Sequence, residues 1–177
     1  HLDNYGANGG FALENEGFSL DAGASYISNI LDSDGLGDYA SALMAESGAD
    51  LHEYVAGVGG YAVASAGPIM MIAEYITALD APEFVSDPPG VDSAGEKMAA
   101  WNAEIGYFFE LAGRPANVGL AYQGTDKAGG FLPETRAMGT IGCEIFRATN
   151  LALEYFHDAY ENDDEADVFT AQLAIAF

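Results

Sequence analysis

Basic residues are scarce in this sequence of 177 amino acids, which contains five Lys and Arg against 28 Asp and Glu. The resulting formal net charge of −23 argues against nucleic acid and anionic lipid headgroups as direct partners, because both repel a strongly negative surface. Cations are its natural counterparts. High net charge alone can indicate disorder, but ten Phe, ten Tyr and 22 Gly are typical of a folded, β-rich chain.

Cysteine and long apolar runs are also nearly absent. A single cysteine, Cys143, cannot form an internal disulfide, and its apolar alternating surroundings predict a small buried hydrophobic residue without a redox role. The longest weakly polar stretch, Ala62 to Ala73, is interrupted by Ser65, Gly67 and Pro68. It falls short of the roughly 18 apolar residues that a transmembrane helix requires, so the sequence predicts no helical membrane span.

The last eleven residues, Asp167 to Phe177, alternate with period two, which is typical of a β-strand. One face of this strand carries Phe169, Ala171, Leu173, Ile175 and Phe177. An edge strand this apolar would cause aggregation in a soluble protein, whereas in a closed membrane barrel it is paired and faces lipid. The ending resembles the C-terminal strand signal of bacterial outer-membrane proteins, which implies recognition by the barrel-assembly machinery.

Eight further segments have strand patterns, so nine strands are predicted in total. Upstream of the last one they lie at Tyr5 to Glu14, Phe18 to Ile30, Tyr54 to Val63, Ile69 to Leu79, Trp101 to Glu110, Asn117 to Gln123, Arg136 to Phe146 and Asn150 to Asp158. Short turns join them at Asn15 to Gly17, Ala64 to Pro68, Leu111 to Ala116 and Arg147 to Thr149. Longer connections rich in Asp, Glu, Gly and Pro lie at Leu31 to Glu53, Asp80 to Lys97, Gly124 to Thr135 and Ala159 to Ala166.

Short and long connections alternate strictly, as in a transmembrane barrel with periplasmic turns and long external loops. We therefore predict an all-β fold: a transmembrane antiparallel up-and-down β-barrel, with residues 1–177 forming a single barrel domain. A soluble β-sandwich is the alternative. Because bacterial single-chain barrels usually have an even number of strands, and the sequence begins at His1 without Met or a signal segment, we expect the C-terminal part of a larger barrel of roughly 12 to 18 strands.

Five acidic residues share the less apolar parity of their strands: Asp21, Glu74, Glu104, Glu144 and Glu154. If the most apolar face meets lipid, these side chains point into the lumen. They could form an acidic lining that makes the channel prefer cations, or they could serve only as polar residues in a water-filled pore. Lysine and arginine are expected only in turns, in loops and, for Arg136, at a strand's end.

The long loops contain weak candidates for metal ligands. Asp32, Asp34 and Asp38 place oxygen atoms close together, but they lack the remaining ligands of an EF-hand. A second acidic cluster consists of Glu161, Asp163, Asp164 and Glu165, and for both clusters a solvated loop is the simpler interpretation. Asp38 can also cap a short helix from Tyr39 to Glu46, which would bring the 31–53 loop partly into the pore mouth.

Catalytic patterns are missing. His1, His52 and His157 have no metal-ligand spacing, and no serine lies in a nucleophile-elbow motif, so the sequence predicts neither an enzyme nor a cofactor. A hydrolase site assembled across strands is the alternative that spacing leaves open.

Aromatic residues that fit a membrane-interface belt are Tyr5, Tyr26, Tyr75, Trp101, Tyr107 and Tyr155.

Four segments together cover most of the chain: NYGANGGFALENEGFSLDAGASYISNI, GPIMMIAEYITALD, WNAEIGYFFELAGRPANVGLAYQGT and LPETRAMGTIGCEIFRATNLALEYFHDAY. In these segments the chain resembles the LbtU-type siderophore porins of Gram-negative bacteria. The resemblance implies a bacterial outer-membrane porin that takes up iron–siderophore complexes, with outer-membrane lipid and a small solute or ferric siderophore as partners. A general diffusion porin and a structural or adhesive barrel are the alternative functions, and the oligomeric state stays open.

Overall fold

The chain is all-β. The computed structural model describes residues 4–32, 37, 41, 49–51, 55–86, 93–94, 97–127 and 132–176. Within these ranges twelve strands follow one another: β1 Gly6–Asn15, β2 Phe18–Ile27, β3 Ala49–Leu51, β4 Gly57–Ala66, β5 Ile69–Ala78, β6 Glu83–Ser86, β7 Ser93–Ala94, β8 Ala99–Leu111, β9 Arg114–Asp126, β10 Thr135–Phe146, β11 Thr149–Ala159 and β12 Glu165–Ile175.

Nine of these strands form one antiparallel sheet in the order β1-β2-β4-β5-β8-β9-β10-β11-β12. Each strand pairs only with its neighbours along the chain, so the sheet is an up-and-down meander. All nine predicted strands are present, and the prediction of an all-β antiparallel up-and-down fold is confirmed. The sheet is open, because among the described residues β1 and β12 each have only one pairing partner.

Two-residue turns join the strands at one end of the sheet. They consist of Glu16-Gly17, Gly67-Pro68, Ala112-Gly113 and Arg147-Ala148. Gly17, Gly67 and Gly113 have positive φ angles of 77°, 55° and 74°, which glycine adopts without the steric cost of a side chain. The turns are tighter than predicted, since β4 continues to Ala66 and β9 already begins at Arg114.

The longer connections all lie at the opposite end, so the predicted alternation is confirmed. Two of them contribute a small sheet, in the order β3-β6-β7, that the sequence did not predict. The strand predicted to reach Ile30 ends at Ile27, because Ile30–Asp32 forms a 3-10 turn. The predicted helix Tyr39 to Glu46 lies outside the described residues except for Ser41. In the described part of the chain, no helix is long and apolar enough to cross a membrane.

The pairing register separates the side chains of the large sheet into two faces, named here the apolar face and the polar face. The apolar face carries Phe11, Leu13, Phe18, Ile69, Met71, Trp101, Ile105, Tyr107, Leu120, Tyr122, Ile141, Leu153, Tyr155, Phe169 and Leu173. These side chains are largely uncovered: Leu120 is 67% exposed and Phe169 is 68% exposed. No second layer of described residues packs on them.

The small buried core lies among the long connections and not on the apolar face. Ile30, Leu31, Val55 and Ala78 form it, and Met98 packs against it. Backbone hydrogen bonds from Ile30 N to Val55 O and from Ala78 N to Met98 O hold the connections to the strand ends. Most large hydrophobic residues of the described chain therefore have no protein core into which to pack.

Candidate functional site

A row of polar side chains crosses six neighbouring strands on the polar face. Each of its members stands directly opposite the next in the pairing register, in the sequence Tyr61, Glu74, Asn102, Gln123, Arg136 and Asp158. We call this set the polar row. Directly opposed side chains of an antiparallel pair have neighbouring Cβ atoms, so these groups can interact along the row.

Asn102 connects two acidic side chains. Its Nδ2 atom donates hydrogen bonds to Oε2 of Glu74 at 3.1 Å and to Oε1 of Glu104 at 2.9 Å. Carboxylates only accept hydrogen bonds, so the amide atom that faces both of them must be the nitrogen. The opposite amide atom, Oδ1, is buried and has no hydrogen-bond partner among the described residues.

Arg136 and Asp158 form an ion pair in the same row. The Nε and Nη2 atoms of Arg136 donate to the two carboxylate oxygens of Asp158 at 2.6 and 2.8 Å. The guanidinium carbon lies 4.1 Å from the centre of the Phe156 ring. Asp158 is thus neutralised within the protein, while among the described residues Glu74 and Glu104 receive side-chain hydrogen bonds only from the neutral amide of Asn102.

Tyr61 reaches the neighbouring acid Asp21 because a glycine lies beneath its ring. Its hydroxyl donates to Oδ1 of Asp21 at 3.0 Å. A Cβ atom added at Gly23 would stand only 2.7 Å from Cε1 of Tyr61, closer than real Cβ contacts allow. Gly23 therefore lets the tyrosine lie flat along the sheet, where its hydroxyl can contact Asp21.

A depression of about 550 Å³ follows the polar row. Its polar lining includes Glu74, Asn102, Gln123 and Arg136, and its apolar lining includes Ile76 and, from the β9–β10 connection, Leu132 and Pro133. The hydroxyl of Thr125 donates to the carbonyl of Pro133 at 2.8 Å, which holds this connection beside the row. The volume lies in the range of small-molecule sites.

The five acids proposed from strand parity all lie on the polar face, but they are spread along it. Asp21 and Glu104 occupy one row of the register, and Glu74 lies in the adjacent polar row. Glu144 stands opposite Asn150 near the turn end, and Glu154 stands opposite Thr140. Only Glu74 and Glu104 share a hydrogen-bonding partner among the bonds of the described residues.

The arginine and cysteine positions agree only in part with the sequence expectations. Arg136 is the second residue of β10 and thus lies at a strand's end, as expected, on the same face as the acids. Arg114 begins β9 and does not belong to a turn. Cys143 is half-buried and not buried, because it lies on the apolar face, which no described residues cover.

The apolar face carries its own aromatic and polar contacts. Trp101 stands opposite Gly124, and its ring meets that of Tyr122 edge to face at 5.1 Å. Near the long connections, Asp167 Oδ1 accepts a hydrogen bond from the Tyr155 hydroxyl at 2.7 Å and lies 3.0 Å from Nδ1 of His157. Aromatic rings with polar tips are typical of the boundary between an apolar and an aqueous phase.

The proposed metal ligands are not assembled in the described part of the chain. Asp34, Asp38 and the side chain of Asp32 lie outside the description, and no group of three or more His, Cys, Asp or Glu suited to a metal is found among the residues that were described. The second acidic cluster is exposed. There Asp164 Oδ2 accepts a hydrogen bond from Asn162 Nδ2 at 2.7 Å, and the Asp164 backbone N–H donates to Asn162 Oδ1 at 3.1 Å. This pattern fits a solvated turn.

Asn102, Gln123 and Asp158 are site residues that sequence reasoning missed. Strand parity could have found two of them, since Asn102 has the parity of Glu104, and Asp158 has that of Glu154. Their alignment into one row depends on how far each strand is shifted against the next, and a single sequence does not reveal that shift.

The fold and its two faces define a class: a nine-stranded antiparallel meander with an exposed apolar face and a polar face that holds charged groups. A "UPF0422 protein" of Coxiella burnetii is 33% identical over 160 residues, which is 89% of this chain and 33% of that protein. UPF0422 proteins of Legionella pneumophila strains Lens and Paris are 37% identical over 65 residues, which is 36% of this chain and 12% of each protein. The chain thus spans a third or less of the length of these relatives. No protein-family model and no solved structure matches it significantly.

Proposed function

We propose that this chain is part of an outer-membrane β-barrel that forms a porin-like channel for small solutes. The observation that carries the proposal is the segregation of the sheet into an exposed apolar face and a polar face over nine consecutive strands. A strand that crosses the outer membrane has an apolar face toward lipid and a polar face toward the lumen. The two faces of this sheet differ in the same way.

Exposure of the apolar face argues against a soluble β-sandwich. In a sandwich, large side chains such as Ile105 and Leu120 would be covered by a second sheet. They are 48% and 67% exposed here. Monomeric soluble proteins rarely expose a continuous apolar surface of this kind, whereas lipid tails would cover it at no cost in hydration.

The stagger of the strands supports closure into a barrel. Phe18 directly follows the first turn, yet the register places it in the same row as Tyr107, which lies four residues before the end of β8 at Leu111. The turns of successive hairpins therefore do not lie in one row of directly opposed residues, and they are displaced along the strands. Such a progressive shift is the shear that tilted strands need to close a barrel.

The aromatic residues of the apolar face follow the same oblique direction. Tyr75 stands opposite Trp101. Tyr122, which contacts Trp101, lies two residues nearer the turns than the residue opposite Trp101, and Tyr155 lies a further two residues nearer the turns. A belt at a membrane interface would run obliquely across tilted strands in this way.

The polar face would line the lumen, with Asp21, Glu74, Glu104, Glu144 and Glu154 as its acidic residues. We propose that they make the channel prefer cations or metal-bearing solutes, because each uncompensated carboxylate raises the local cation concentration. Iron–siderophore complexes are the proposed substrate class on the strength of the resemblance to siderophore porins. The acidic face by itself also supports a general cation-preferring diffusion channel, which is the second candidate.

The test uses the full-length protein from which this chain comes. It would be expressed behind a signal sequence in a Gram-negative host, and the outer-membrane fraction would be examined for a band whose electrophoretic mobility changes on boiling. The purified protein would then be inserted into planar bilayers, with and without a ferric siderophore. Channel steps support the porin, and their reduction by the siderophore supports that substrate. A soluble protein, or a membrane protein without conductance, would contradict the proposal.

A further inference from the structure

We propose that Glu74 and Glu104, held together by Asn102, form a binding subsite for the ammonium or guanidinium group of an organic cation. Glu74 and Asn102 line the depression along the polar row, and Glu104 lies beside it in the adjacent row of the register. The subsite rests on the proposed channel function, whose solute it specifies. Its target is a solute that combines N–H donors and positive charge with an apolar body.

The two carboxylates converge on one atom. Nδ2 of Asn102 has two N–H groups, and one goes to each glutamate, at 3.1 and 2.9 Å. Each carboxylate offers about four acceptor positions, so a single amide bond leaves most of its capacity available to a ligand. A cationic group with several N–H donors could bind both carboxylates at once, which a neutral donor would do less strongly.

Charge compensation is unequal along the row. Arg136, the cation of the row, is engaged by both carboxylate oxygens of Asp158. The amide of Asn102 donates to Glu74 and Glu104 without neutralising them. The depression therefore offers the negative charge of Glu74 at one side, next to Glu104, and the already paired Arg136 at the other side.

The remaining lining favours an organic cation over a bare metal ion. Ile76, Ala100, Leu132 and Pro133 line the same depression. A hard cation such as calcium requires about six to eight oxygen ligands, whereas an amine-bearing solute can place its apolar body against these side chains.

A second observation comes from the far side of the same amide. Oδ1 of Asn102 is buried and accepts no hydrogen bond from the described residues. An unsatisfied buried acceptor is unfavourable, so this asparagine is a poor choice for stability alone. Its nitrogen, in contrast, fixes the spacing of the two carboxylates. Asn102 is thus a positioning residue of the subsite.

The experiment compares two probes of equal charge on the full-length protein. Benzylammonium has three N–H donors, and benzyltrimethylammonium has none. Dissociation constants would be measured by titration calorimetry in detergent and by current block in planar bilayers. We expect benzylammonium to bind about tenfold more tightly, which corresponds to about 1.4 kcal/mol. Glu74→Gln and Glu104→Gln should each remove most of this difference.

Asn102→Leu is the decisive variant because it changes no charge. If the subsite exists, the preference for benzylammonium falls while the reversal potential stays the same. Glu144→Gln, on the same face but near the turns, is the matched control and should keep the preference. The change of mobility on boiling would verify that each variant folds.

Each outcome separates the subsite from the channel. Equal affinity for the two probes, or an unchanged preference in Asn102→Leu, would overturn the subsite even if the channel conducts. A calorimetric preference that depends on Asn102 in a protein without conductance would support the subsite and refute the channel.

Discussion

Arg136 and Asp158 face each other on β10 and β11 and are joined by two hydrogen bonds of 2.6 and 2.8 Å. The Asp158 side chain is only 3% exposed, whereas that of Arg136 is 30% exposed. Removal of the arginine would therefore leave a buried carboxylate without its charge partner, which is far less favourable than loss of an exposed ion pair.

We expect Arg136→Met to destabilise the protein by about 2 to 4 kcal/mol, measured as the free energy of urea-induced unfolding in lipid vesicles. Methionine keeps much of the side-chain volume near Phe156, so the loss reports mainly on the charge. Arg147→Met, in an exposed turn, is the control and should change stability by less than about 0.5 kcal/mol. The double variant Arg136→Met with Asp158→Leu should recover part of the loss, and no recovery would argue against an unpaired carboxylate as the cause.

Gly23→Ala should displace the ring of Tyr61, because the new Cβ atom would stand 2.7 Å from it. We expect a loss of about 1 to 3 kcal/mol in unfolding free energy. Gly9→Ala is the matched control on the adjacent strand, since a Cβ atom there meets nothing within 4 Å. If Tyr61→Ser restores the stability of Gly23→Ala, the steric cause is established; equal effects of the two glycine substitutions would contradict it.

Phe169 and Thr170 are neighbours in β12 that point to opposite faces. Phe169→Lys would place a charge on the apolar face and should destabilise the membrane-embedded state by about 2 to 4 kcal/mol if it lies near the bilayer midplane. Thr170→Lys places the same charge opposite Glu154 on the polar face and should be tolerated. The yield of heat-modifiable protein in the outer membrane measures both. Equal yields would refute the assignment of the faces.

Cation selectivity is expected to depend on the acids of the polar face. Reversal potentials under a salt gradient should favour cations in the wild type, and less so when Glu74, Glu104, Glu144 and Glu154 are all replaced by Gln. The preference should weaken with added salt, because the screening length is about 8 Å at 0.15 M. An anion-selective wild type, or a variant with an unchanged reversal potential, would contradict this prediction. Any charge selectivity would then be assigned to the loops and not to these residues.

The nine long strands were predictable because their signals are local. Alternation in segments such as Asp167 to Phe177, and the glycines that permit positive φ at the turns, act over a few residues. The small sheet of β3, β6 and β7 has strands of only two to four residues from two separate connections, so no periodic signal marks it.

The polar row was less accessible than the strands. Parity placed Glu74 and Glu104 on one face, but their connection through Asn102 requires the register between β5 and β8, which are separated by a long connection. The partnership of Arg136 with Asp158 likewise follows from the pairing of β10 with β11. Register across an entire sheet is a collective property, set by the packing of both faces and by the stagger of each hairpin.

The meander has a consequence for the order in which the sheet can form. Every long strand pairs with its neighbours in the sequence, and four of the eight links are two-residue turns, so each hairpin can close before the next one is made. We expect growth by addition of whole hairpins to an existing edge. In the proposed membrane barrel, a newly added hairpin would bring its apolar face into the bilayer at the same moment that its backbone becomes paired, which would limit the time during which unpaired polar groups meet lipid.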